Sequence, residues 1–327
     1  MTQFSTREVP WMKLGKLIDA PVTAKEAAKL GGLDFTVSLQ PVGVLVKDTT
    51  DPTYAAMFPN AKTKNGTFRM IPSRYAVTAD DNGDFMGFVS SNKYHSLQYS
   101  DAFNFMDAVN PRYVAAGGLR SRRQGFMVVE MSNVETVGVL NGADPHRLYA
   151  VLRTSHDCSR ATEVSVMMLR GRCMNQLTLQ SFSKDAPYRW SIKHTSSQTA
   201  KLAEAQKSLK NIGAYVKWYG NRAEELANKT IAVDQADKIL RQVITKPTGK
   251  TTQVDEKYEQ RINQVLDLFL GCDEVGYPDN GWGLVNAVSE YYEWHRAGGT
   301  PESRFVGALQ GQTHGAINRT MNLVLAA

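Results

Sequence analysis

No stretch of the sequence stays apolar long enough to cross a membrane. Its strongly apolar segments are strand-length, such as Phe126-Met127-Val128-Val129, whereas a spanning helix needs about 20 such residues. The opening, Met1-Thr2-Gln3-Phe4-Ser5, lacks a charged region followed by an apolar one, so no secretory signal is expected. Cysteine is scarce. Cys158, Cys173 and Cys272 show no C-x-x-C spacing, which fits reduced thiols in a cytoplasm better than a disulfide framework. Also missing are a phosphate-cradling G-x-x-x-x-G-K-[ST] loop, G-x-G-x-x-G, G-x-S-x-G and H-E-x-x-H. ATP-driven, dinucleotide-dependent and zincin-type chemistry are therefore not indicated. No cofactor and no bound metal is expected.

What is present is a globular composition, 42% hydrophobic and 21% charged over 327 residues, sufficient for a sizeable core. The net charge of +6 is unevenly spread. Residues 112–220 hold 16 Lys+Arg against 7 Asp+Glu, and the remainder holds 22 against 25. A local excess of positive charge attracts polyanions.

The patterning predicts an α+β fold, with an antiparallel β-meander and hairpin core flanked by helices and a helical C-terminal half. Residues 1–66 read as an irregular N-terminal segment. Within it Thr23 and Glu26 form a possible capping box over a short helix from Ala24 to Leu30, and Phe35–Leu39 and Val42–Val46 are strand-like. Pro52, Pro59 and Asn65-Gly66 signal turns. An α+β core spans 67–245. It opens with a hairpin, Tyr75–Thr78 and Phe85–Val89 around Asn82-Gly83, followed by a helix capped at Ser100 and stopped by Pro111. Strands follow at 113–119, 126–131, 148–153 and 162–170, too closely connected to be parallel. Leu202, Ala205, Leu209, Ile212, Val216 and Tyr219 predict one helix of about six turns. A linker at 245–253 precedes a helical region, 254–327, with amphipathic helices around Val254–Phe269, Trp282–Trp294 and Arg304–Leu309.

The most suggestive local feature is the turn Arg120-Ser121-Arg122-Arg123. Sequence neighbours cannot neutralise three guanidiniums there, because no carboxylate lies between Asp107 and Glu130. Guanidinium geometry suits bidentate phosphate contact. Arg153, Arg160, Arg170, Arg172, Arg189 and Lys193 would extend a track that binds a backbone without reading sequence. Lysines of the long helix (Lys201, Lys207, Lys210 and Lys217) read as a solvated face. Tyr188 and Trp190, beside Arg189, are candidates for stacking on unpaired bases. His156, Asp157 and His194 are the one constellation that hints at an acid–base or metal site, against a structural role at a strand end.

Several stretches resemble one family. Lys93-Tyr94-His95-Ser96-Leu97 with Asp101–Phe105, Gly117-Gly118-Leu119-Arg120, and Thr154-Ser155-His156-Asp157-Cys158-Ser159 with Met174-Asn175-Gln176-Leu177 line up with its motifs in order. Ile192-Lys193-His194-Thr195, then Gly281-Trp282-Gly283-Leu284-Val285-Asn286-Ala287-Val288, then Arg304-Phe305 continue the series. Together they cover roughly residues 65–325 and resemble the phage/plasmid-like group filed as domain of unknown function 932. Cys158 stands where that family often has glycine. The resemblance implies a mobile-element origin, hence a host-cell cytoplasm, and a single chain-long module; it implies no activity. The order of helix, meander with basic hairpin, and long helix is also similar to ring-forming single-strand annealing proteins of the RecT and Redβ kind.

The expectation is an ATP-independent, non-enzymatic, homo-oligomeric protein that binds single-stranded DNA and promotes annealing. The oligomer follows from the apolar faces of the C-terminal helices, and no membrane partner is expected. A metal-dependent nucleic-acid-processing enzyme built on His156, Asp157 and His194, and a phage interaction protein binding a host factor, are the alternatives.

Overall fold

Every residue of the run Phe126–Val129 is buried, and the reason is a sheet covered on both faces. In the computed structural model, residues 9–11, 13–46, 67–90, 93–107, 111–131, 137–139, 142–171, 174–181, 187–248, 252–271 and 279–327 are described. The main sheet has the order β1-β5-β6-β8-β9-β10. Its strands are β1 (Lys16–Leu17), β5 (Arg112–Leu119), β6 (Gln124–Glu130), β8 (Asp144–Ser155), β9 (Thr162–Arg170) and β10 (Gln176–Leu177). Two short strands join it, β7 (Val137–Val139) on β8 and β11 (Arg189–Ile192) on β9. Every pairing in it is antiparallel. This is the expected meander.

Side chains alternate across a strand. Met127, Val129, Ala150, Leu152, Val164, Val166 and Met168 enter the core shared with the helices. Phe126, Val128, Tyr149, Val151, Met167 and Leu169 enter a second apolar layer with Trp11, Phe305 and Leu309. Strands buried on both faces read as continuous apolar runs instead of alternating ones.

A second antiparallel sheet joins β2 (Val37–Val46), β3 (Thr67–Ala79) and β4 (Phe85–Val89). Gly83 supplies the positive φ at the β3–β4 turn. Helix α1 (Ala24–Leu30) carries the capping box read from Thr23 and Glu26. The N-terminal segment is less separate than its sequence suggests. β1 pairs with β5, β2 runs ten residues along β3, and Trp11 is 2% exposed. The turn signals between Asp48 and Asn65 lie outside the described residues.

Helix α2 (Tyr99–Asp107) begins one residue before the expected cap, Ser100. The long helix expected from Leu202 to Tyr219 is two, α3 (Gln198–Lys210) and α4 (Gly213–Ala227). Asn211-Ile212-Gly213 combines poor helix formers at the break, while Leu209, Ile212 and Tyr215 keep the apolar face continuous. Then come α5 (Val233–Val243), α6 (Thr252–Leu270) and α7 (Gly281–Glu290). α7 runs into a π-helical turn at Tyr291–His295, and α8 (Pro301–Gln310) and α9 (Gln312–Ala326) follow. Among the described residues no helix is long and apolar enough to cross a membrane.

One interaction locks the helical half to the sheet. Asp144, fully buried on β8, accepts from Arg170 Nε at 2.8 Å to both oxygens and from Trp282 Nε1 at 3.0 Å. His146 Nε2 lies 3.0 Å from the same carboxylate, and its Nδ1 lies 3.0 Å from Tyr219 Oη. Burial opposes ionisation of Asp144. The hydrogen bond and charge of His146, the charge of Arg170 and the Trp282 hydrogen bond outweigh it and hold the carboxyl at about 2. Removing one partner of a buried ion pair strands the other. Arg170→Met is therefore expected to destabilise the protein by about 3–5 kcal/mol, measurable by urea denaturation. A loss below about 1 kcal/mol would mean that Arg170 does not neutralise Asp144.

Candidate functional site

The β5–β6 connection, residues 120–123, places Arg120, Ser121 and Arg122 in succession at φ 50°, 56° and 65°. Each such residue costs roughly 1–2 kcal/mol when it is not glycine, and strain of this kind persists only where its surroundings enforce it. Here Tyr99 Oη donates to Arg122 O at 2.7 Å, and His156 N donates to Arg123 O at 2.8 Å. Arg122 Nη1 donates to Asp81 at 2.8 Å, its Nη2 lies 3.6 Å from Asp84, and its guanidinium covers the Phe35 ring at 4.4 Å. The Arg122 hydrogen bond holds the Asp81 carboxyl below its usual range.

The expectation that the three arginines lack acidic neighbours therefore fails for Arg122. Its carboxylates come from the β3–β4 turn, about 40 residues away in sequence. Arg120 is 58% exposed, with Glu302 at 3.9 Å. Arg123 is exposed, 5.9 Å from the ring of Phe85.

The rest of the expected track is mostly internal. Arg153, 3% exposed, donates to Glu163 at 2.8 Å, Arg160 donates to it at 3.2 Å, and Arg189 forms a third ion pair with it. Burial, with the charge of Arg160 next, pushes Arg153 down to about 10. Arg170 belongs to the Asp144 lock. Arg153, Arg170 and Arg189 are thus structural ion-pair partners; Arg160, part-buried, also reaches the surface cleft described below. Arg172 lies outside the described residues. Trp190 and Tyr188 are half-buried against the core, and Tyr188 stacks on His314 at 5.9 Å. Lys193 is exposed at the end of β11.

His156 and His194 do come together at one end of the sheet. His156 is fully buried, 4.2 Å from the Tyr99 ring, and His194 stacks on Tyr94 at 5.5 Å. Neither ring nitrogen of His156 has a hydrogen-bond partner, whereas His194 is held by a backbone hydrogen bond to Arg160. Asp157 serves its own loop instead, accepting from Ser159 N at 3.0 Å and Gln124 Nε2 at 3.2 Å. Among the described residues no three or more His, Cys, Asp or Glu side chains converge as a metal site. Desolvation, then the charge of His194, pushes His156 down to about 4. Cys158 has φ 59°, the left-handed region that favours glycine.

A surface cleft of about 670 Å³ opens beside the arginine turn. Arg120 and Arg160 line one side; Arg296, Arg304 and the start of α8 line the other, and Glu302 is the only carboxylate among the described residues of its wall. Arg296 is oriented by Gln312 Oε1 at 2.6 Å, and Arg304 by Arg296 O at 3.1 Å. Near Arg123 of the turn, Phe85 and Phe88 are 41% and 62% exposed, with ring centroids 4.7 Å apart. These four residues, Phe85, Phe88, Arg296 and Arg304, escape sequence reasoning because two lie in an ordinary-looking hairpin and two lie outside the basic middle third. The Arg304-Phe305 pair in the family-like series was the one available signal.

Two outcomes follow for the histidine end. Above the usual imidazole range His156 is neutral whether the chain is folded or unfolded. Between about pH 6.5 and pH 4 only the unfolded chain takes up the proton, so stability falls as pH drops through that window. His156→Phe should reduce the loss between pH 7 and pH 5 by about 2 kcal/mol in urea titrations at the two pH values. An unchanged loss would place the titration elsewhere. Cys158→Gly should stabilise the fold by up to about 1 kcal/mol in the same assay, and a destabilised variant would contradict the strain argument.

No curated protein and no solved structure matches the chain. A family model described as a domain of unknown function, DUF932, matches residues 87–321, from β4 into α9. That span includes the arginine turn, the histidine end and the cleft, and covers well over half of the 327 residues. The chain belongs to the DUF932 family.

Proposed function

We propose that this protein binds single-stranded DNA along a path from Phe88 and Phe85, over Arg123 and Arg120, into the cleft between Arg160 and Arg304. The observation that carries this reading is the cleft itself, whose wall brings together four arginines, Arg120, Arg160, Arg296 and Arg304, beside Glu302. Guanidiniums at such density suit a phosphate backbone, and exposed aromatic rings next to them suit unpaired bases, since every base has a face to stack. The N-terminal turn of α8 adds its partial positive charge to the same wall. A path of this kind needs no ATP. By holding a strand extended it lowers the entropy lost on pairing, which would promote annealing.

The expected homo-oligomer is not part of this reading, because its argument has gone. The apolar faces of α6 and α7 are buried within the chain at Tyr258, Ile262, Val265, Phe269, Trp282 and Val285. The enzyme alternative keeps only two imidazoles, without a third ligand or a carboxylate bonded to them among the described residues.

The test is the salt dependence of oligonucleotide binding, read by fluorescence anisotropy. Replacing Arg120, Arg123 and Arg296 together by Ala should leave the protein folded. The slope of log affinity against log salt should become shallower by about 2, at roughly 0.7 per lost phosphate contact on a single strand. Phe85→Ala with Phe88→Ala should weaken binding by about 1–3 kcal/mol per stacked base with little change in slope. A normal slope in the arginine variant would remove the proposal.

A further inference from the structure

Next to the cleft lies a smaller pocket of about 180 Å³, and the two share Gly299 and Arg304. Its wall includes Gln176, Glu293, Trp294 and Phe305. Glu293 sits in the π-helical turn after α7, a distortion found often at functional sites. It is 3% exposed, and its carboxylate accepts from Ser289 Oγ at 2.6 Å, Gln176 Nε2 at 3.0 Å and Gln176 N at 3.1 Å. Burial nevertheless pushes this carboxyl up to about 7.

Two polar atoms in the wall are buried without a partner, Gln176 Oε1 and Arg304 Nε, and Gln176 is only 1% exposed. An unsatisfied buried group costs about 1–3 kcal/mol, so two of them in one pocket wall ask for an explanation that a ligand reached by a small side-chain shift would supply. Trp294 is half-buried, and its Nε1 donates to Asn175 Oδ1 at 3.1 Å, which fixes the plane of its ring. A side chain at Gly299 would come within 2.8 Å of Arg304 Nε, so glycine keeps the boundary between pocket and cleft clear. Drug-sized ligands take roughly 300–1,000 Å³. The pocket is smaller than that and suits one flat ring system, while the cleft has room for sugar and phosphate.

We propose that this pocket receives one unpaired nucleobase of the bound strand and prefers guanine. The proposal rests on the single-strand reading of the cleft. Guanine joins a carbonyl acceptor, which arginine recognises well, to neighbouring N–H donors, one of which Gln176 Oε1 would accept. Trp294 supplies the stacking face.

The experiment compares a twelve-nucleotide oligothymidylate with the same strand carrying guanine, adenine or cytosine at one central position. The guanine strand should bind about tenfold more tightly than oligothymidylate, the scale of one good bidentate base contact, and the adenine and cytosine strands within about threefold of it. Trp294→Ala and Gln176→Met should each erase the guanine preference and leave oligothymidylate affinity within about twofold. Trp294 is the less buried of the two, so its variant decides alone if Gln176→Met fails to fold. Equal binding of all four strands would overturn the base pocket and leave the cleft reading standing. Binding of none would overturn both. A guanine preference that survives in the folded variants would place base reading elsewhere and overturn this assignment.

Discussion

The docking of the helical half depends on a single buried charge. Asp144 would be costly in the core alone, and its stabilisation draws on three elements at once: the charge of Arg170 from β9 and the contacts of His146 from β8 and Trp282 from α7. Tyr219 of α4 reaches the same group through His146. Apolar packing would tolerate small shifts of α4 and α7 over the sheet. A hydrogen-bonded carboxylate fixes the register, because a displaced donor leaves an unpaired charge in a low-dielectric interior.

Glu163 does comparable work with the opposite surplus. One carboxylate faces Arg153, Arg160 and Arg189, so net positive charge remains beneath the surface where Arg160 meets the cleft. Much of the basic middle third is therefore committed inside the protein. What it leaves for a ligand is smaller than the charge count implies and is completed by Arg296 and Arg304 from the C-terminal helices. The cleft is thus a product of the docking that Asp144 secures, since sheet and helices supply opposite walls.

Local features were legible in the sequence. The capping box at Thr23 and Glu26, the Asn82-Gly83 hairpin and the arginine turn between two apolar runs each depend on residues a few positions apart. The meander was legible because strands buried on both faces leave unbroken apolar runs. Long-range pairing was not. Nothing near Arg122 announces Asp81, and Trp282 lies 138 residues from Asp144, so arginines with structural partners looked the same as free ones. The break at Asn211-Ile212 was hidden by an apolar series that continues across it. The final helix, Gln312–Ala326, has no counterpart in the sequence reading, because its glycine, threonine and asparagine residues are weak helix formers carried by packing against α7 and α5. The resemblance to DUF932 located the histidine loop and Arg304 without indicating that they belong to different parts of the surface.

The π-helical turn at Tyr291–His295 has an evolutionary consequence. Such a turn amounts to one extra residue within a helix, and each residue of an α-helix advances it by about 100°. Deleting Tyr291, Tyr292 or Glu293 would let α7 continue as a regular helix but swing Trp294 and the connection to α8 around its axis. Sequence drift in this segment can thus exchange side chains, whereas an insertion or deletion would change which residues face Gln176. Descendants of this chain should vary in composition here long before they vary in length.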